Sequence, residues 1–236
     1  ISYGSRIPNT PLSFPFAHQT IPFTETRSYL DWIKIAYHRL PGFADIRHND
    51  VVVFNYPMED EFPVDQRTHY VKRCIALPGD TIEIKETIVY INNIPGEVPE
   101  NIQFNYLVKT DKYEFATDTL EKMDITEGGK ISGKGDYMLT LTKTNAAAIS
   151  KMKNINSVSA FCDKKGTYSD YIFPHNDKFP WNVDHLGPLE IPRSGDSIKV
   201  DTNNISIYQR IISLYEKNTL EVRHDSVFIN GSFASY

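Results

Sequence analysis

Two adjacent cations, Lys72 and Arg73, sit inside the stretch HYVKRCIALPGDTIEI (residues 69–84), between Val71 and Cys74 and ahead of a Pro-Gly-Asp turn. A charge among apolar residues is costly unless it is paired or neutralised. Lysine is a poor base at its free pKa, but burial against apolar groups disfavours the ammonium, and a neutral lysine takes a proton from a serine hydroxyl. The Ser-Lys dyad is one of the variants of serine catalysis. Residue type and spacing leave a plainer reading beside it. On a strand Lys72 and Arg73 point to opposite faces, and both can be solvated or paired with carboxylates.

The elements that must position these side chains are mostly strands. From about residue 50 the runs DVVVFNYP, YVKRCIALPGD, TIEIKET and IVYINNIP are β-branched and aromatic and are separated by turn residues, which predicts an antiparallel β-rich core. Residues 1–27 carry Pro8, Pro11, Pro15 and Pro22 among aromatics and are expected to wrap as an extended loop. The next stretch, SYLDWIKIAYHRLPG, has capping-box spacing at Ser28 and Asp31, apolar residues at helical intervals and a Pro41-Gly42 stop, which predicts a short amphipathic helix. Near the end a phrase returns. IPRSGDSIKV with SVFINGSF parallels ALPGDTIEI with IVYINNIP, each a Gly-Asp turn, a strand and an apolar-Ile-Asn turn. Shared hairpin chemistry accounts for it as well as a true repeat does, and two copies do not make a solenoid.

Between these blocks FNYLVKT (104–110) reads as strand, ATDTLEKM as short helix, DYMLTLT (136–142) as strand, TNAAAISKMKN (144–154) as helix and INSVSAFC as strand. The alternation predicts an α/β subdomain over 100–175, inserted into a discontinuous β-rich core made of 1–99 and 176–236. A late helix is expected over NNISIYQRIISLYEKN, with Tyr208, Ile211, Ile212 and Tyr215 on one face.

Composition narrows the function. With 25 Lys+Arg against 30 Asp+Glu in 236 residues, the net charge is −5, and no long basic run favours nucleic acid as a partner. The longest apolar runs fall far short of the roughly 18 residues a membrane span needs, and no signal peptide opens the chain. It starts at Ile1 and stops at FINGSFASY with a strand pattern in progress, which reads as a segment of a longer protein. Cys74 and Cys162 allow at most one optional disulfide, or are small buried apolar residues. The histidines lack zinc-ligand spacing, so no metal site is expected. PHNDKFPWNVDHLGP, with His175, Asp177, Asp184 and His185, reads as a rigid surface loop rather than a ligand cage. TEGGKISGKGD (126–136) lacks the ending of a phosphate loop and reads as a flexible turn.

YVKRCIALPGDTIEI resembles the lysine-bearing box of bacterial signal peptidase I, the membrane-anchored serine endopeptidase family that removes signal peptides from exported proteins. Ala76 stands where glycine is common in that family. NDVVVFNYP (49–57) resembles the preceding box, with Asn49 in place of a glycine. The order and proximity of the two boxes are those of the family, and they cover about 49–92 directly. The family's Ser-Met-x-Pro-Thr type nucleophile motif does not occur in these residues. ISYGSRIPNTP resembles the sequence that follows that motif, so Ser2 and Ser5 are not nucleophile candidates. The last family box, Gly-Asp-Asn followed by a serine and Asp-Ser-Arg, does not occur either.

The resemblance implies a mainly β fold: an antiparallel β catalytic core of the signal peptidase type, an inserted α/β subdomain and one or two short helices. It gives Lys72 the role of general base and Arg73 that of a structural neighbour. Val53, Tyr70 and Val71 match positions that border the substrate cleft, where an extended peptide adds alongside a strand. Preprotein signal peptides are the implied partners. No cofactor is implied, because dyad and backbone donors supply the chemistry. The place implied is the bacterial inner membrane, anchored by segments outside this chain, with this domain on the periplasmic face. The chain alone is then expected to be inactive. Two other classes stay open: a non-catalytic extracytoplasmic β-rich binding module, and a self-cleaving repressor that shares the dyad.

Overall fold

Residues that favour a pleated, half-buried surface alternate through most of the chain, and they form short antiparallel strands with few helices, a mainly β protein. The computed structural model describes residues 4–111, 114–131, 133 and 135–234, so Ser2 lies outside the described residues. The chain divides into two units, Ile1–Pro78 and Gly79–Tyr236.

In the first unit β1 (Arg6–Ile7) pairs with β2 (His38–Arg39), and β3 (Val51–Asn55) pairs with β4 (His69–Arg73). The proline-rich leading segment is extended and touches its neighbour through isolated bridges at Ser13–Tyr29 and Thr20–Arg27. The helix expected over SYLDWIKIAYHRLPG does not form. Its backbone donors go across the chain rather than along it: Leu30 N–H donates to Leu12 O (3.0 Å), Ile35 N–H to Asn9 O (2.8 Å) and Leu40 N–H to Ser5 O (2.9 Å). Tertiary pairing overrides the helical spacing and leaves Trp32 79% exposed. Polar side chains fasten the leading segment. Asp65 Oδ2 accepts from both the N–H and the hydroxyl of Thr10 at 2.8 Å, and Gln66 Nε2 donates to Thr10 Oγ1 at 2.9 Å. Thr10 and Gln66 are buried, so these bonds stand in for the water both have lost.

Among its described residues the second unit holds three antiparallel sheets. β5 (Thr81–Lys85), β6 (Ile88–Ile91) and β7 (Ile94–Pro95) form a meander, and β12 (Leu186–Glu190) joins it on the outer side of β5. The chain between them builds a four-stranded sheet in the order β11-β8-β10-β9, from β8 (Gln103–Thr110), β9 (Gly128–Lys130), β10 (Tyr137–Thr142) and β11 (Ile155–Ala160). Two helices accompany it, α1 (Thr117–Lys122) and α2 (Lys143–Ile149), the latter capped by the Thr142 hydroxyl accepting from Asn145 N–H at 3.1 Å. Along β10 alternate side chains are buried, and Tyr137, Leu139 and Leu141 pack with Val108, Ala146 and Ile149 into the larger core.

The glycine-rich stretch read as a flexible turn contributes β9. Gly128, at φ +110°, lies so close to Met138 O that a Cβ would come within 2.3 Å of it, so only glycine fits this approach of two strands. The strand expected within IPRSGDSIKV is absent. After it come α3 (Ile205–Arg210), a π-type turn (Ile211–Tyr215) and the strands β13 (Leu220–Arg223), β14 (Ser226–Ile229) and β15 (Ser232–Phe233). The π turn sends Glu216 N–H back to Ile211 O. The wider turn breaks the single face expected there: Ile212 is buried, whereas Tyr215 is exposed.

Leu139→Ala is expected to lower stability in urea unfolding by about 2–5 kcal/mol, because its side chain is fully enclosed. Trp32→Ala should stay within about 0.5 kcal/mol, as for a surface position; a core-sized loss there would mean that residues 28–42 are packed as the helix their spacing suggests.

Candidate functional site

The two sequence boxes face each other as the β3–β4 ribbon. Its antiparallel register sets Val51 opposite Arg73, Val52 opposite Lys72, Val53 opposite Val71, Phe54 opposite Tyr70 and Asn55 opposite His69. Backbone bonds continue the ladder past the strands, Cys74 N–H to Asp50 O (2.8 Å) and Asn49 N–H to Cys74 O (2.7 Å). The Asn49 that replaces a glycine has φ +70°, a left-handed conformation that asparagine tolerates better than other non-glycine residues.

Because side chains alternate across a strand, this register sorts the candidate residues onto two faces. Lys72 and Tyr70 share one face with Val52 and Phe54; Val53 and Val71 share the other with Arg73. The structure therefore brings Lys72 to Tyr70 and Val53 to Val71, but it does not bring the lysine to the two valines. On the lysine face Nζ stands 5.9 Å from the Tyr70 ring centroid, a cation–π distance. Tyr70 in turn stacks on Tyr56, with centroids 4.6 Å apart and rings 23° from parallel, and meets Phe54 edge-on at 6.2 Å.

This aromatic trio was not singled out from the sequence. The signal was available, since Phe54, Tyr56 and Tyr70 alternate in phase with Lys72 once the two boxes are paired. On the valine face Val53 is 64% and Val71 59% exposed, an open apolar pair. Arg73 is tied to the scaffold by Nη1 donating to Asn49 O at 2.7 Å.

Lys72 is exposed, which corrects the expectation that it lies buried in apolar company. The apolar residues before and after it in sequence are strand neighbours, and a two-stranded ribbon covers neither of its own faces. Cys74 and Cys162 are not joined to each other in a disulfide; the former is half-buried and the latter exposed. Burial and the nearby Asp184 carboxylate raise the Cys162 thiol above its ordinary pKa, with Glu86 and Asp163 adding to the effect, so it is kept protonated. His185 Nε2 lies 3.7 Å from its sulfur.

The loop PHNDKFPWNVDHLGP is organised by a residue the sequence did not flag, Asn182. This side chain is buried, donates through Nδ2 to Lys164 O and Thr167 O (3.0 and 3.1 Å), and accepts at Oδ1 from the N–H groups of Asp184 and His185 (3.1 and 2.9 Å). His175 and Asp184 turn instead to backbone: His175 Nδ1 is 2.8 Å from Asp170 O, and Asp184 Oδ2 accepts from Asp163 N–H at 2.7 Å.

The loop between the ribbon strands is closed by Glu59. Its two oxygens accept from Thr68 N–H and Thr68 Oγ1, each at 2.7 Å, at the point where Tyr56 N–H donates to Thr68 O. The backbone N–H, then the hydroxyl, holds this carboxyl below the usual glutamate range, with His18 and Arg67 adding attraction.

A family model described as "Signal peptidase, peptidase S26" matches residues 17–146, more than half of the chain and all of the ribbon. Among curated proteins, Signal peptidase I P of Bacillus subtilis subsp. natto is 44% identical over 49 residues, 21% of this chain and 23% of that protein. Signal peptidase I S of Bacillus subtilis strain 168 is 28% identical over 118 residues, 50% and 59% of the two chains. Signal peptidase IB of Staphylococcus aureus strain Mu50 is 29% identical over 97 residues, 40% and 45%. The chain thus spans less than two thirds of the length of each of these relatives. No solved structure matches it significantly.

Because the folded-state pKa of Glu59 is depressed, its contact with Thr68 contributes fully above the pKa of glutamate in an unfolded chain, about 4.3, and is lost as pH falls through the lower folded value. Glu59→Gln should therefore be less stable than the parent in thermal unfolding at neutral pH, with the gap closing as the pH is lowered below about 4. A gap that stays constant with pH would show that the carboxylate charge is not what closes the loop.

Proposed function

The chain belongs to the signal peptidase family, peptidase S26, and on that premise we propose that it forms the extracytoplasmic part of a signal peptidase I, a serine endopeptidase that removes N-terminal signal peptides from exported preproteins at the bacterial inner membrane. The observation that carries the reading is the ribbon itself: the two boxes that resemble the family are paired residue for residue, with Lys72 set directly opposite Val52. Residues 1–99 and 176–236 are then the catalytic core and 100–175 an insertion. Among the described residues no helix is long and apolar enough to cross a membrane; in this reading the anchor belongs to another part of the protein.

Lys72 acts as general base. Neutral, it takes the proton of a serine hydroxyl as that oxygen attacks the scissile carbonyl, gives that proton to the departing amine as the peptide bond breaks, and, neutral again, takes a proton from the water that releases the acyl group. Both proton abstractions need the lysine desolvated. The serine-bearing segment and the bound preprotein are what would cover its exposed face, and the Tyr70–Tyr56 stack supplies a rigid apolar wall beside it. The resemblance gives Val53, Val71 and Tyr70 to the path of an extended substrate; of the three, Tyr70 shares the face of Lys72, and the two valines form the apolar pair of the other face. Arg73, fixed to Asn49 O, holds the ribbon in shape. No cofactor enters. The serine that Lys72 would activate is not part of a Ser-Met-x-Pro-Thr motif in these 236 residues, so the isolated chain should not cleave preproteins.

One observation favours a second reading. Lys72 is exposed and leans on an aromatic ring, as a structural surface lysine does, which suits a non-catalytic extracytoplasmic β-rich binding module.

Preprotein cleavage by the full-length protein separates the two. Lys72→Ala is expected to slow turnover about 10²- to 10⁴-fold, the usual range for loss of a general base. Lys85→Ala, a surface lysine paired with Glu83, should leave it unchanged. A folded Lys72→Ala protein that still cleaves at the parental rate would retire the peptidase role of this lysine, and a parent protein that does not cleave at all would leave the binding module.

A further inference from the structure

The second unit contains the same supersecondary element twice, at residues 79–96 and 217–234. The sequences run in step without a gap: Thr81, Glu83, Val89, Ile91 and Asn92 recur as Thr219, Glu221, Val227, Ile229 and Asn230. The stretch that echoes TIEI is thus TLEV (219–222), not the SIKV that follows the second Gly-Asp.

The structural correspondence is closer than the sequence one. Pair for pair, Ile82↔Ile91 and Ile84↔Val89 match Leu220↔Ile229 and Val222↔Val227. Both turns use two left-handed residues, Glu86-Thr87 and His224-Asp225. In each copy the asparagine clamps the base of the hairpin. Asn92 N–H donates to Thr81 O and Asn92 Oδ1 accepts from Thr81 N–H, and Asn230 repeats both bonds with Thr219, all at 2.9 Å. Even the surface pairs recur, Lys85 with Glu83 under a Tyr90 contact and Arg223 with Glu221 under a Phe228 contact.

The copies differ at one edge. In the first, the outer side of β5 is occupied by β12, with Leu186 opposite Ile84, Leu189 opposite Ile82 and Glu190 opposite Thr81. In the second, β13 is the end strand of its sheet among the described residues. Thr219 bonds inward to Asn230, so by alternation the N–H and C=O groups of Leu220 and Val222 point to the open side. Val222 is 55% exposed, whereas Ile84, its counterpart beneath β12, is half-buried. A short ladder of donors and acceptors with no partner strand among the described residues, beside an uncovered apolar side chain, is a template for strand addition.

We propose that the outer edge of β13 is a strand-acceptor site, which takes an extended segment of a partner polypeptide antiparallel to Thr219–Val222 with apolar side chains opposite Leu220 and Val222. The first copy is the argument for the occupant: the same hairpin, in the same register, already holds a strand of that chemistry on the equivalent edge. The site is independent of the peptidase reading, since it uses neither Lys72 nor the ribbon.

The test uses the whole chain and a fluorescent synthetic peptide with the β12 sequence DHLGPLEIP (residues 184–192), followed by anisotropy and by the amide signals of Leu220 and Val222. Saturable binding that shifts those two amides is expected. Val222→Pro should weaken it at least about tenfold while leaving the fold intact, because proline is tolerated where an edge N–H faces outward. Val222→Lys, an edge charge that keeps the amide, should also weaken it and answers the question if the proline variant does not fold. The proposal is overturned by absence of saturable binding at millimolar peptide, or by binding indifferent to both substitutions. It is equally overturned if sedimentation shows a dimer that Val222→Pro dissolves, for then a second copy of the chain occupies the edge.

Discussion

A strand repeats every two residues, so the register of one antiparallel pair decides which side chains share a face, and a slip of a single position would invert every assignment. At the β3–β4 ribbon that constraint sets Val52 against Lys72 and Phe54 against Tyr70. From this pairing follow the cation–π contact, the aromatic stack on Tyr56 and the separation of the lysine from the Val53–Val71 pair. The register is held at one end by the ladder that runs on to Asn49 and Cys74, and at the other by Glu59, which satisfies both donors of Thr68 where the loop returns. The placement of Lys72 thus rests on backbone pairing and on one carboxylate some distance along the chain from the lysine.

The paired hairpins make the same point about backbone satisfaction. At the base of each, an asparagine side chain accepts from the first threonine N–H, while its own N–H returns a bond to the threonine carbonyl. Local side-chain to backbone bonding of this kind is why asparagine recurs at the mouth of a hairpin. It explains how two copies keep one geometry while their outward residues have diverged. What separates the copies is a third strand, β12, which reaches β5 but has no counterpart on β13 among the described residues.

Membership of the signal peptidase family accounts for the ribbon and its sequence boxes. The substantial sheet of β8–β11, with its own core around Leu139, Leu141 and Ile149, is described by local packing. A helix lies between β8 and β9 and another between β10 and β11, yet all the strands pair antiparallel, because β9 folds directly back on β10 with Gly128 opposite Leu139 and β8 lies between β10 and β11.

The sequence by itself determined the elements whose signals are local. Alternation of β-branched and aromatic residues located the ribbon and the first hairpin, and of the second hairpin only the strand at SVFI. Caps and spacing located the helices at 117–122, 143–149 and 205–210, and the two boxes pointed to Lys72 and Arg73 and to their opposite faces. Tertiary structure decided what depends on partners distant in the chain. The apolar spacing of 28–36 is helical, but its backbone donors are taken by residues 5–12, and no local rule prices that exchange. The strand at Gly128 exists because Met138 lies against it, and Asn182 orders its loop by reaching Lys164 and Thr167. Exposure of Lys72 was equally beyond a local reading: apolar neighbours in sequence sit beside a strand residue, whereas burial requires another layer over its face, and which layer lies there is set by packing rather than by the order of the residues.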